Sequence, residues 1–256
     1  MVTGAGSRGP GVGTGKAISI LFAREGCRVV LVDREQSNAL ETLEAIRDEG
    51  GEASVVEADV TSADDCRRMV EVAVGSYGQL DILVNNVGII VPGNASNVDE
   101  ADWDRAMDVN LKSMMLGSKY AIEQMAGRGG SIINMASVLG LRAGSVLESV
   151  AYSASKGGVI ALTTSMAADH GRDGIRVNAL APGYLYTPMV ADALTDEMRD
   201  LRRRAAPLGT EGTAWDVGWA AVFLASDEAR WITGVVLPVD AGLIATTPLA
   251  MLDQLR

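Results

Sequence analysis

Histidine is almost absent from this chain: His170 is the only one in 256 residues. That excludes a histidine-rich metal site and makes a Ser-His-Asp hydrolase hard to assemble, because both depend on imidazoles. His170 is expected near a helix C-terminus, where an imidazolium is mildly favourable. Cysteine is nearly as scarce. Cys27 and Cys66 have no metal-ligand spacing and read as reduced thiols of a cytoplasmic protein. Basic charge is in deficit: 22 Lys and Arg stand against 33 Asp and Glu, a net charge of −11. With no basic cluster, nucleic acid is not expected as a partner. The run Arg202-Arg203-Arg204 is expected on a solvated helix face. No apolar run reaches the ~18 residues of a membrane span. No charged segment followed by an apolar stretch, the mark of a signal peptide, is visible at the N-terminus.

What is present is a hydrophobic fraction of 48%, too high for disorder. Apolar strand-like runs alternate with helical patterns. Strands are expected at residues 1–3, 28–32, 53–57, 82–84, 131–134, 176–179 and 235–239. Helices are expected at 16–26, 37–48, 61–76, 101–125 and 152–170, in the stretch ending at 204, and at 215–224. Thr61 is the expected cap of the third helix, with Asp64 in its first turn. This alternation predicts an α/β fold, a Rossmann-type doubly wound sheet of seven mainly parallel strands with helices on both faces. No linker or repeat divides it, so residues 1–256 are read as one domain. Trp103, Trp215, Trp219 and Trp231 are expected to pack rather than form a stacking surface. Asp240-Ala241-Gly242 is expected to turn the chain after the last strand.

Between the first strand and first helix lies Thr3-Gly4-Ala5-Gly6-Ser7-Arg8-Gly9-Pro10-Gly11-Val12-Gly13-Thr14-Gly15. Glycines there let backbone amides approach a pyrophosphate, and a helix N-terminus adds free N–H groups. Asp33 ends the second strand about 20 residues on, where an acid binds a ribose 2′-OH. It repels a 2′-phosphate, so NAD is expected over NADP. Arg34 is the residue that would oppose this by accepting the phosphate.

Tyr152 and Lys156 are four residues apart at the start of a predicted helix, so they share a face. A phenol ordinarily ionises near pH ~10. A fixed ammonium nearby is expected to lower that value. Ser137, at the end of an apolar strand, can hydrogen-bond the same oxygen. The trio reads as an acid/base device for a hydroxyl or carbonyl. Its bland reading is a half-exposed tyrosine beside a solvated lysine.

With these residues in order, the chain resembles the short-chain dehydrogenase/reductase family over nearly its whole length. Asp59-Val60 resembles the family's adenine-side Asp segment, and Asn85-Asn86-Val87-Gly88 its Asn-Asn-Ala-Gly. Asn110 matches its helical Asn, and Pro182-Gly183 followed by Thr187 its nicotinamide-side segment. The glycine pattern fits only with Gly4 first and Gly13 and Gly15 last, which leaves five extra residues in the loop. Gly4-Ala5-Gly6-Ser7-Arg8-Gly9 is then a decoy match. The interval from Ser137 to Tyr152 is slightly long, and residues 140–149 form the expected substrate loop. Met1 stands two residues before Thr3, so the first strand lacks its usual lead-in.

The resemblance implies an NAD-dependent alcohol dehydrogenase or ketone reductase, cytoplasmic and homotetrameric, with the long helices and last strand at the interfaces. Implied catalytic residues are Ser137, Tyr152, Lys156 and Asn110, the last holding a water in a proton relay. Implied cofactor contacts are Gly4, Gly13, Thr14, Gly15, Asp33, Arg34, Asp59, Val60, Asn86, Val87, Gly88, Tyr152, Lys156, Pro182, Gly183 and Thr187. The pocket wall is read as Ile90, Val91, Leu139, Leu141, Val146, Leu147, Tyr184, Tyr186, Met189 and Val190. It is mainly apolar, with Arg142 and Glu148 nearby, and suggests a small cyclic, aromatic or aliphatic secondary alcohol. Two rival readings are an NADPH-dependent 3-oxoacyl-type ketoreductase and a non-catalytic NAD sensor. A sensor needs no proton acceptor, so the trio argues against it.

Overall fold

The strand segments are short apolar runs with few polar interruptions, a pattern that suits strands covered on both faces. The computed structural model describes residues 1–7, 9–143 and 148–255. Its strands are β1 (Val2–Thr3), β2 (Val29–Asp33), β3 (Ala53–Glu57), β4 (Ile82–Asn85), β5 (Gly130–Met135), β6 (Ile175–Pro182) and β7 (Val236–Val239). They form one sheet in the order β3-β2-β1-β4-β5-β6-β7, and every pairing is parallel. β1 is brief, but it is central. Val2 pairs with Leu31 on one side and Val84 on the other, and the Met1 amine donates to the Ile82 carbonyl at 2.8 Å.

The helices of eight or more residues are α1 (Thr14–Arg24), α2 (Gln36–Asp48), α3 (Ala63–Tyr77), α4 (Glu100–Met107), α5 (Ser113–Met125), α6 (Val150–His170), α7 (Asp196–Arg204) and α8 (Ala214–Ala225). The period-2 alternation of each strand splits the core. Val29 and Leu31 face the layer holding Ile18, Ile46 and Val217. Val30 and Val32 face the layer holding Met69, Leu116 and Met125. Helices α1, α2 and α8 thus cover one side and α3 and α5 the other, as the doubly wound reading requires.

Several expectations change. Helix α3 is capped by Ser62, whose Oγ accepts the Asp65 N–H, not by Thr61. Thr61 is held instead by Asp59 Oδ1 through its N–H (2.9 Å) and hydroxyl (2.7 Å). The expected helix at 101–125 is interrupted by a π-helical turn, Asp108–Lys112. Trp231 is 92% exposed and Trp219 53% exposed, so neither is a packing residue within this chain. Trp103 and Trp215 do pack against apolar clusters. The arginine run is not wholly solvated: Arg202 stacks over the Tyr184 ring at 4.8 Å, while Arg203 and Arg204 pair with Asp200. His170 is the last residue of α6 and meets Asp173 at 3.2 Å. Ala241 and Gly242 take positive φ at the expected turn.

Candidate active site

From β1 the chain winds outward to β3, and from β4 it winds the other way to β7. The crevice at this reversal, beyond the strand C-termini, is where sheets of this kind bind ligands. Helix α1 begins at Thr14 with Gly13 as its cap. A Cβ on Gly15 would lie 1.9 Å from the Gly4 carbonyl oxygen, so this position tolerates no side chain. Gly13 and Gly15 therefore stand where the insertion places them. In the decoy match, Gly6 packs on Asn38 of α2, with a virtual Cβ 2.5 Å from it, and Gly9 is exposed.

Asp33 accepts N–H bonds from Gly6 (3.1 Å) and Glu35 (3.2 Å), which ties the glycine loop to the end of β2. Arg34 is exposed, 3.9 Å from the Glu35 carboxylate. Asn86 clasps the loop from β4: its Nδ2 donates to the carbonyls of Thr3 and Gly4, both at 3.1 Å. Asp59 directs Oδ1 to Thr61, and Val60 is buried. Gly183 donates to the Val239 carbonyl at 2.9 Å and packs on Asp240. Thr187 opens the next turn, its carbonyl accepting from Val190 and Ala191.

Across the crevice the structure brings Ser137, Tyr152, Lys156 and Asn110 together. Ser137 follows β5 in extended backbone, and its Oγ accepts the Leu139 N–H at 3.1 Å. It also hydrogen-bonds Tyr152. Lys156 is buried one helical turn on, and its Nζ donates to the Met135 carbonyl at 2.6 Å. Asn110 sits in the π turn. Its Oδ1 accepts from Ile89 N (2.8 Å), and its Nδ2 donates to Ile89 O (2.9 Å) and Ser155 Oγ (3.0 Å). Ser155 Oγ in turn donates to the Tyr152 carbonyl at 2.7 Å. The π turn thus fastens the loop after β4 to the start of α6.

The electrostatics depart from expectation. Burial raises the Tyr152 phenol above its ordinary value, and the Ser137 hydrogen bond opposes it only in part. Burial also pulls the Lys156 ammonium down to about 7. Its Nζ lies 5.7 Å from the Tyr152 ring centre. A lysine itself driven toward neutrality cannot depress a phenol much, so in the folded chain burial outweighs the expected ammonium effect.

Some site features carried no sequence signal. Gly140 is a contact rather than only a loop start: a Cβ there would meet the Lys156 carbonyl carbon at 2.7 Å. Asn134 on β5 accepts from Asn85 Nδ2 (2.9 Å) and donates to Thr163 Oγ1 (3.0 Å), joining β4, β5 and α6 below the site. Ser155 alone was within reach of sequence reasoning, three residues beyond Tyr152. Among the wall residues, Val91 belongs to a buried cluster with Ala106 and Ala151 and does not line an open pocket. Val146 and Leu147 lie outside the described residues. Tyr186 is covered by the Arg199 guanidinium at 3.8 Å, and Arg199 also binds Glu211 at 2.7 Å. That side of the wall is therefore more charged than expected. Glu148 is held by Asn94 Nδ2 at 2.9 Å.

The residues fit a nicotinamide dinucleotide. A Cβ on Gly88 would sit 3.4 Å from Lys156 Nζ and 3.6 Å from Asn110 Oδ1, so the missing side chain keeps the space beside the lysine open. Proton-handling groups beside a dinucleotide crevice are the working arrangement of a Rossmann-fold oxidoreductase. A family model described as enoyl-(acyl carrier protein) reductase matches residues 10–244. Among curated relatives, the chain is 36% identical over 245 residues to a 3-oxoacyl-(acyl-carrier-protein) reductase of Thermotoga maritima, covering 95% of this chain and 96% of the relative. It is 38% identical over 247 residues to cis-4-hydroxycyclohexanecarboxylate dehydrogenase of Sinomonas cyclohexanicum, covering 96% of each. A solved structure described as a short-chain dehydrogenase/reductase from Burkholderia xenovorans superposes with a TM-score of 0.91 at 40% identity, covering 96% of each chain. The chain belongs to the short-chain dehydrogenase/reductase family.

Proposed function

We propose that this protein interconverts a secondary alcohol and a ketone with NAD, and that Tyr152 is the general acid/base. The observation that carries this reading is the placement of Tyr152 beside buried Lys156, whose Nζ lies 5.7 Å from the Tyr152 ring centre, with Ser137 acting on the same phenol, at the crevice between β1 and β4. Thr14 and Gly15 at the start of α1 would hold the pyrophosphate, with Gly4 and Gly13 shaping the turn. Asp33 would hold the adenosine ribose, Asp59 and Val60 would flank the adenine, and Asn86, Val87 and Gly88 would line the cofactor's middle. Pro182, Gly183 and Thr187 would bound the nicotinamide end. The nicotinamide supplies the hydride acceptor or donor.

The chain's own groups manage the proton. A phenol held above its ordinary range is protonated at neutral pH, so Tyr152 donates to a ketone oxygen in the reducing direction. In the oxidising direction Tyr152 must first release its own proton to solvent, and the phenolate then accepts the alcohol proton; the fraction of Lys156 that stays charged favours that phenolate. Ser137 orients the substrate oxygen through its hydroxyl. Asn110, anchored to Ile89 and Ser155, keeps the loop after β4 clear of Lys156 and offers its carbonyl side as the anchor for a relay water.

Asp33 and Glu35 bracket Arg34, and this local acid excess supports NAD over NADP. The second reading, an NADPH-dependent 3-oxoacyl reductase, is favoured by the Thermotoga relative's name. The Sinomonas relative's name supports a cyclic secondary alcohol. The exposed Trp219 and Trp231 and the open edge of β7 support a homotetramer, and the free thiols Cys27 and Cys66 support a cytoplasmic location.

The test is to follow reduction of NAD and of NADP by a panel of cyclic and aliphatic secondary alcohols, with Tyr152→Phe as control. NAD turnover should exceed NADP turnover, and the variant should lose about 10²–10⁴-fold in turnover while retaining NADH binding. Wild-type-like turnover by Tyr152→Phe removes the assignment. A preference for NADP selects the second reading.

A further inference from the structure

Helix α7 carries Arg199, Arg202, Arg203 and Arg204, and they are not equally partnered. Arg199 pairs with Glu211 at 2.7 Å and with Asp196 at 3.6 Å, while Arg203 and Arg204 share Asp200. Among the described residues, Arg202 meets no carboxylate within ion-pair reach. Its guanidinium lies over the Tyr184 ring. It donates to the Leu185 carbonyl at 3.4 Å, longer than the roughly 2.7–3.2 Å of a good N–H···O bond. Yet Arg202 is half-buried. Burial lowers its pKa, and Tyr184 and Glu211 offset that only in part. A guanidinium carries several N–H donors, and withdrawing it from water without an acid partner is costly.

The guanidinium borders a cavity of about 210 Å³, below the roughly 300–1,000 Å³ of drug-sized sites, so a ligand for it is small. Leu185, Ala206, Val239 and Leu243 give the cavity an apolar side. Glu211, Asp216 and Asp240 also border it, and each is already engaged. Glu211 accepts from Arg199 at 2.7 Å. Asp216 accepts the Thr213 N–H and hydroxyl, both at 2.7 Å, in the first turn of α8. Asp240 accepts the Gly242 and Ile244 N–H groups at 3.0 and 2.9 Å. Of these charged groups, Arg202 alone lacks a hydrogen bond of ordinary length. The cavity is built on the segment assigned above to the nicotinamide end: Tyr184 follows Gly183, whose virtual Cβ lies 2.7 Å from Asp240. We propose that Arg202 binds the carboxylate of a small organic acid whose carbon chain fills the apolar side of this cavity. A carboxylate supplies the paired acceptors that a planar guanidinium fits. Two sources carry that group: the far end of the substrate itself, which rests on the alcohol–ketone reading above, and a separate acid, which does not.

The experiment is calorimetric titration of hexanoate, and of its uncharged counterpart hexanamide, into the full-length protein. Wild type should bind hexanoate at least about tenfold more tightly, the scale of a charge-assisted hydrogen bond. Arg202→Met keeps an apolar stem and should lose that preference. Arg202→Lys keeps the charge without the planar fork and should retain part of it, and it keeps the test valid if Arg202→Met does not fold. Absence of hexanoate binding by the wild type, equal binding of acid and amide, or an undiminished preference in both folded variants would overturn the site. Initial rates with 5-hydroxyhexanoate and 2-hexanol then identify the source. A KM for the hydroxy acid lower by about tenfold, with the gap closing in Arg202→Met, assigns the carboxylate to the substrate. Equal KM values beside retained hexanoate binding assign it to a separate acid. Failure of the wild type to oxidise any secondary alcohol would overturn the alcohol–ketone reading and leave the titration result standing.

Discussion

Replacement of Gly15 by alanine tests the packing of the glycine loop most directly. The new Cβ would sit 1.9 Å from the Gly4 oxygen, 2.7 Å from Asn86 Nδ2 and 2.8 Å from the Gly4 carbonyl carbon. Ordinary contact is about 3.5 Å, so the Gly4 peptide would have to move by roughly 1.5 Å. It is poorly placed to do so. Gly4 has a φ of 62°, and its oxygen accepts from Asn86 Nδ2 at 3.1 Å. Forced overpacking costs about 1–3 kcal/mol, and loss of the Asn86 bond adds about 1 kcal/mol. The better helix propensity of alanine returns at most about 1 kcal/mol. A net loss of about 1–3 kcal/mol follows, which for a domain of this size lowers Tm by roughly 2–12 °C. Gly75→Ala is the control. Gly75 lies within α3, is exposed, and has nothing within 4 Å of its virtual Cβ. That change should be neutral or stabilising by up to about 1 kcal/mol. The assay is thermal and urea unfolding followed by circular dichroism. If Gly15→Ala proves as stable as wild type while the control behaves as stated, the packing argument is refuted.

Stability should also depend on pH through Lys156. Its folded value is about 7 against 10.5 for the free side chain. Below pH 7 both states carry the proton, and the native state bears the full cost of the buried charge. Between those values the unfolded chain binds more protons, so stability rises with pH, by at most about 1.4 kcal/mol per unit. Urea midpoints from pH 7 to 9 should climb in the wild type and flatten in Lys156→Met. An equal slope in both proteins would show that the lysine is not the source. Asn134→Leu should destabilise by about 2–4 kcal/mol, since it strips partners from both Asn85 and Thr163 in the interior. Urea unfolding measures it, and a loss under about 0.5 kcal/mol would contradict the network.

Much of this protein was readable without coordinates, because strands and helices are encoded by local periodicity. The alternation of apolar runs with 3.6-residue patterns determined a doubly wound parallel sheet. The i, i+4 spacing placed Tyr152 and Lys156 on one face of α6, and counting back from the first helix found Gly13 and Gly15. Contacts between distant segments were not readable. Nothing local marks the π turn at Asn110, because it exists to reach Ile89 and Ser155. Nothing local shows that Gly140 must lack a side chain to pass Lys156, or that Gly11 stands beside Pro188. The ionisation of the pair was misjudged for the same reason. Spacing brings an ammonium toward a phenol, but how far each is buried depends on the β5 end, the turn after it and α6 packing together. Sequence chose the chemical groups and their elements; tertiary packing decided their charge, their tethers and which faces stay exposed.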